Sequence, residues 1–219
     1  LIIRIHFFIA IAFCAFGLVK KGSNSPEKSP LFVLPDKALL GLGLIAFCSM
    51  MVEGAMFDWS GIYFTAVVGV DEGFTGLGYT TFMIAMAGMR FLADGLAGRF
   101  GLKRILQASG TFASMGLILA VVLPQLLPSL FGFLLIGIGV SSVVPMVYSA
   151  AGKSKTMAAG TAITAVSSLG FMGFLIGPPA IGFIAEASCL RGSFLALTIM
   201  SVAVVIFSSF MRSDENRIN

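Results

Sequence analysis

About seven stretches of this chain are each apolar over roughly the twenty residues that a helix needs to cross a bilayer core of about 30 Å. They follow one another closely, at 1–19, 38–68, 74–97, 105–123, 129–150, 157–184 and 192–211. A backbone in hydrocarbon must satisfy its own N–H and C=O groups, so a chain of this pattern has one solution open to it, a bundle of helices. The predicted fold class is therefore all-α, a polytopic membrane helix bundle. Composition closes the alternatives: 58% of the 219 residues are hydrophobic and 11% are charged, under half the charged share of a soluble domain. A soluble globular domain, a disordered chain and a nucleic-acid-binding protein are all excluded on that ground.

The net charge of +4 matters less than where the basic residues lie, because Lys and Arg near helix ends stay on the cytoplasmic side. With the crossings drawn as above, Lys20, Lys21, Lys28, Lys37, Arg99, Lys103, Arg104, Lys153, Lys155, Arg212 and Arg217 fall on one side. Arg191 falls opposite, and the opposite loop at 69–74 carries Asp71 and Glu72. The linker 20–37, with its lysines and Pro26, Pro30 and Pro35, and the tail 212–219 are expected in the cytoplasm. The localisation expected is a multi-pass protein of a bacterial inner membrane.

Seven crossings place Leu1 outside. A chain that starts there with neither Met nor a basic leader is expected to be the rear part of a longer protein. Many transporters join two six-helix halves through a cytoplasmic loop and hold substrate between them. On that plan 1–19 is the last helix of an N-terminal half missing here, 20–37 the central linker, and 38–211 a complete C-terminal half.

Metal and redox chemistry find no ligands. Cys14, Cys48 and Cys189 lie far apart in apolar runs and read as small buried hydrophobes, and His6 is the single histidine. No cofactor is expected.

Several strings carry a resemblance. Glu53-Gly54-Ala55-Met56-Phe57-Asp58-Trp59-Ser60, Arg90-Phe91-Leu92-Ala93-Asp94-Gly95, Arg99-Phe100-Gly101-Leu102-Lys103-Arg104, Val144-Pro145 and Gly173-Phe174-Leu175-Ile176-Gly177-Pro178-Pro179 resemble the second half of major facilitator superfamily transporters. The subgroup they look most similar to is the bacterial one related to fucose and other sugar permeases. The resemblance implies alternating access by two six-helix halves, a small polar solute, preferably sugar-like, and a cytoplasmic gating turn at Arg99, Lys103 and Arg104. The turn departs from the family signature: Gly98 stands where an acid is usual, and the nearest acid is Asp94. Arg90 and Asp94, one helical turn apart, are expected to neutralise one another away from lipid.

Intramembrane charge is the sharpest pointer to function, since a carboxylate in hydrocarbon must be protonated, paired or in contact with water. Glu53 lies about 23 Å along its helix counted from Ala38, well inside the apolar zone. It is expected to be the cavity carboxylate, binding solute or a coupling proton, with Trp59 as a stacking wall, Asp58 nearer the outer mouth and Tyr63 a further binding candidate of the same stretch. On an unbroken helix Glu53 and Asp58 lie about 140° apart, so Gly54 is read as a break that lets both serve one pocket. Tyr148, Ser167 and Phe171 are further candidates to line the cavity. Gly173 and Gly177 have the spacing that lets helices approach closely, and Pro145, Pro178 and Pro179 are candidate kinks or hinges.

Two enzyme readings fail. Asp94-Gly95-Leu96-Ala97-Gly98-Arg99 resembles the opening of the CDP-alcohol phosphotransferase motif, but the later acids that motif needs fall on Phe112 and Gly116. An intramembrane serine protease wants a Ser/His pair, and His6 stands alone. The surviving expectation is a non-enzymatic secondary transporter coupled to protons through Glu53. Its alternative is a non-transporting sensor or assembly subunit on the same architecture.

Overall fold

The computed structural model describes residues 37–211. The expected helix 1–19, the linker 20–37 up to Lys37, and the tail 212–219 lie outside the described residues. Seven α-helices follow: α1 (Lys37–Tyr63), α2 (Leu77–Phe100), α3 (Leu102–Val122), α4 (Leu126–Ser141), α5 (Val143–Gly152), α6 (Ala159–Ala187) and α7 (Leu190–Phe210). A π-helical turn at Phe64–Val68 prolongs α1, and a 3-10 turn at Glu72–Phe74 leads into α2. No strand occurs among the described residues.

Among the described residues five helical stretches are long and apolar enough to cross a membrane: Leu39–Val68, Leu102–Val122, Leu126–Gly152, Ala159–Ala187 and Leu190–Phe210. The stretch Leu126–Gly152 holds both α4 and α5, so the six predicted crossings of 38–211 correspond to these five and α2. With 24 residues, or about 36 Å, α2 has the length to span, but Arg90, Asp94 and Arg99 interrupt its apolar run.

The break between α4 and α5 has a local cause. Pro145 has no N–H to offer the Ser141 carbonyl one turn back, so the α4 ladder cannot run through it, and the chain restarts at Val143 with Pro145 in the first turn, where no donor is needed. Ser142 takes up the change of direction at φ −96°, ψ −15°.

Small residues set the packing. A Cβ added to Gly173 would strike the Phe47 carbonyl, and one added to Gly177 would come within 2.6 Å of the Met51 carbonyl. So α1 and α6 run parallel at backbone contact, as the spacing of Gly173 and Gly177 implied. Gly116 and Gly132 face each other across α3 and α4, while Gly110 of α3 meets Ser201 and Val205 of α7. The ends of α3 and α7 are tied by cations. Lys103 Nζ donates to the Ser209 and Met211 carbonyls at 2.8 and 3.1 Å, and Arg191 donates to the Val121 carbonyl at 2.6 Å. Each charge meets carbonyls at the C-terminal end of a helix, where a positive group is most favourable.

The interior falls into two hydrophobic clusters stacked along α1. One gathers Leu39, Leu42, Ile45, Leu106, Val147, Val166 and Val204. The other holds Val52, Met56, Phe82, Leu117, Ile136 and a knot of aromatics. In that knot Tyr63 stacks on Phe194 with centroids 4.1 Å apart, and Phe64 meets Phe133 edge-on at 5.0 Å.

Candidate functional site

Glu53 lies on α1 near the junction of the two clusters, with its side chain only 11% exposed. Its Oε1 stands 3.6 Å from Nη2 of Arg90 on α2, whose side chain is 51% exposed. One partner of the pair is therefore enclosed and the other open. A buried carboxylate costs several kcal/mol when left alone, and Arg90 offsets that from within the same half of the molecule. The same Nη2 lies 3.7 Å from Met86 Sδ. Expectation had given Arg90 to Asp94, whose side chain lies outside the described residues.

Tyr148 of α5 reaches the same region. Its hydroxyl points at Met50 Sδ at 3.8 Å, one turn before Glu53. Arg90 of α2, on Glu53, and Tyr148 of α5, on Met50, thus meet neighbouring turns of α1. A small residue of α6 stands beside them: a Cβ added to Gly170 would lie 2.8 Å from Met50 Sδ and 3.2 Å from Ala46 Cβ.

The helix does not break at Gly54. It runs without interruption from Lys37 to Tyr63, because Gly54 serves close packing: a Cβ there would lie 2.8 Å from the Phe174 carbonyl. That carbonyl is one of the two freed by Pro178 and Pro179, which supply no N–H to Phe174 and Leu175. As a result Asp58 stays on a different face from Glu53. It is exposed and lines an open cleft of about 410 Å³ with Phe57, Thr65, Thr75 and Tyr79.

Trp59 and Tyr63 both spend their polar tips on helix contacts. Trp59 Nε1 donates to the Pro178 carbonyl at 3.0 Å, clasping α6 at its proline pair. Tyr63 is fully buried, its hydroxyl donating to the Ala120 carbonyl at 2.9 Å, so the structure does not bring it to the Glu53 face. Ser167 turns its hydroxyl onto the Thr164 carbonyl of its own helix at 3.0 Å, and Phe171 is exposed on α6.

In the turn between α2 and α3, Gly101 holds φ +76°, a backbone that L side chains rarely adopt. Arg99 and Arg104 are exposed, while Lys103 is occupied with the end of α7. Among the described residues no cluster of His, Cys, Asp or Glu could hold a metal ion. Sequence reasoning missed the Glu53–Arg90 pair. The signal was present in principle, because each is an ionised group in mid-helix that needs a partner, but nothing in spacing alone links positions so far apart.

Residues 40–218 match the Major Facilitator Superfamily. The chain belongs to that superfamily. It is 35% identical over 84% of its length to an uncharacterised MFS-type transporter of Yersinia pestis, and it covers 48% of that protein. An uncharacterised transporter of Sinorhizobium fredii is 36% identical over 82% of the chain, which covers 48% of it, and the membrane protein MosC of Rhizobium meliloti is 35% identical over 78%, with 42% covered. The chain thus spans about half the length of the curated relatives it matches. Among solved structures, the fucose:proton symporter FucP in its outward conformation superposes with a TM-score of 0.71 at 21% identity, over 87% of this chain and 46% of that one. A peptide transporter crystallised with sulfate gives 0.65 at 20%, over 83% and 39%. Those identities speak to the fold, which is that of an MFS half, and family and helices together make this a multi-pass membrane protein.

Proposed function

We propose that this MFS chain forms one half of a secondary active transporter that moves a small polar solute by alternating access, and that Glu53 is its coupling carboxylate. The observation that carries the reading is the pair between the enclosed Glu53 and the half-exposed Arg90. While Glu53 is ionised, Coulomb attraction holds the guanidinium over it. Protonation of Glu53 removes that attraction and leaves Arg90 only the weak Met86 sulfur contact, so it is released towards the open side of the half. Proton uptake and the availability of a solute-binding cation then become one event. Support for protons as the coupling ion comes from the likeness to a fucose:proton symporter, and a sugar-like solute is favoured on the same basis.

The partners in this reading are the solute, protons, the lipid bilayer and the N-terminal half of the transporter. Asp58, Tyr79 and Thr75 line an outer vestibule, and the basic ends of the bundle, with Arg99 and Arg104, face the cytoplasm of a bacterial inner membrane.

The test is uptake by the full-length protein in proteoliposomes under an imposed proton gradient. Glu53→Gln should lower gradient-driven uptake at least about tenfold while leaving solute exchange at equal pH in place, because the chemistry removed is proton exchange. Unchanged gradient-driven uptake in that variant would refute the assignment. An absence of any gradient-driven flux with sugars, peptides and other small metabolites would favour a sensor or assembly subunit.

A further inference from the structure

The junction between the two hydrophobic clusters is not dry in its chemistry. On α1 the lower cluster ends at Cys48 and the upper begins at Val52, on α3 the corresponding residues are Leu106 and Ala113, and on α7 they are Val204 and Leu197. Ser49, Ser109 and Ser201 lie in those three gaps. All three are buried, and the Ser49 and Ser201 hydroxyls, each in a residue only 2% exposed, find no hydrogen-bond partner in the protein. They line a small, partly open cavity of about 10 Å³ together with Gly110, Ala113, Gly139 and Val143.

An unpaired buried hydroxyl costs about 1–3 kcal/mol; Ser129 is also buried without a partner, and what sets Ser49 and Ser201 apart is that both open into one cavity. The cavity is the size of one water probe, the minimum that holds a water, and it offers the two to four polar partners that a buried water requires. Its walls are backbone held close by glycine: a Cβ on Gly110 would lie 2.9 Å from the Ser201 carbonyl, and one on Gly139 2.6 Å from the Ser109 carbonyl. No carboxylate lines it, which disfavours a metal cation and leaves a neutral ligand of one heavy atom.

We infer that this cavity binds a single structural water, bonded to the Ser49 and Ser201 hydroxyls with Ser109 beside it, which joins α1 to α3 and α7. Ser49 is one turn before Glu53, so the water anchors the part of α1 that carries the coupling carboxylate. The inference concerns packing and does not depend on what the protein transports.

Two measurements on the full-length protein in lipid nanodiscs test it. A map that resolves ordered waters should show a peak within hydrogen-bond distance of both Ser49 Oγ and Ser201 Oγ; well-ordered serines with no peak between them would overturn the inference. Thermal denaturation of Ser49→Ala, Ser201→Ala and the double variant gives an independent sign. If the hydroxyls hold water, each single variant should melt about 1–4 °C lower, and the double should lose less than the sum because both changes release the same molecule. Dry, unpaired hydroxyls would give the opposite result, with melting raised by each alanine. Replacing Na⁺ with choline should leave every melting point unchanged, and a Na⁺-dependent shift lost in Ser49→Ala would assign the cavity to a cation instead.

Discussion

Helices α1 and α6 lie side by side, run in the same direction and have nearly equal length, 27 and 29 residues. Both are apolar enough to span a membrane, yet 72% of the apolar window of the first is buried inside the bundle and 22% of the second. Hydrophobicity cannot distinguish them, because lipid and protein interior are equally apolar solvents for a side chain. What separates them is where the small residues stand. On α6 the glycines Gly170, Gly173 and Gly177 make one stripe that meets α1, while Phe171, Met172, Leu175, Ile176 and Phe183 project away from the bundle. On α1 there is contact nearly all round: α6 on one side, α7 and α5 on others, and α2 through Arg90.

The comparison can be broken most severely at Gly173. A leucine there would have to occupy the place of the Phe47 backbone, and overpacking against a main chain has no cheap relaxation. Gly173→Leu is expected to abolish the folded, monodisperse protein in size-exclusion chromatography after detergent extraction, and recovery at wild-type level would show that the seam is looser than described. The next effect belongs to Trp59→Phe, which keeps an aromatic ring but deletes the Nε1 donor to the Pro178 carbonyl together with part of the indole's volume. A loss of about 1 kcal/mol is expected, read as a lower melting midpoint, and no shift would mean that the clasp adds nothing to the seam. The smallest effect is set for the far face of α6. Leu175 is 70% exposed, so Leu175→Ala should change the stability of this half by no more than about 0.5 kcal/mol, in sharp contrast to Gly173 two positions earlier. A penalty comparable to that of a core leucine would reveal packing on that face.

Much of this architecture was open to sequence reasoning because bilayer thickness and helix rise leave few choices. The span boundaries moved by a few residues, and the Gly173/Gly177 stripe was visible from spacing. The one subdivision not foreseen, α4 from α5, turned on Pro145, whose effect depends on whether the chain can restart within a turn. The candidate site was less legible. Glu53 stood out because ionised groups are rare in apolar helices, but its partner Arg90 is a tertiary fact. Tyr63 was expected among the binding residues and lies in the aromatic core, because a phenol can satisfy its hydroxyl on a carbonyl near the end of α3 as readily as on a solute. Gly54 suggested a break, and its real service is to let a proline-freed carbonyl come close. Small residues and aromatic tips carry ambiguous messages until the neighbouring helix is known.

The ties between α3 and α7 have a mechanical corollary. With Lys103 fastening one end and Arg191 the other, these two helices form a strut pinned top and bottom, stiff against both sliding and splaying. Flexure in this half then falls beside the strut, on α1 with its π-helical turn, α6 with its twin prolines, α2 and the α4–α5 break, and the first three carry Glu53, the Trp59 clasp and Arg90.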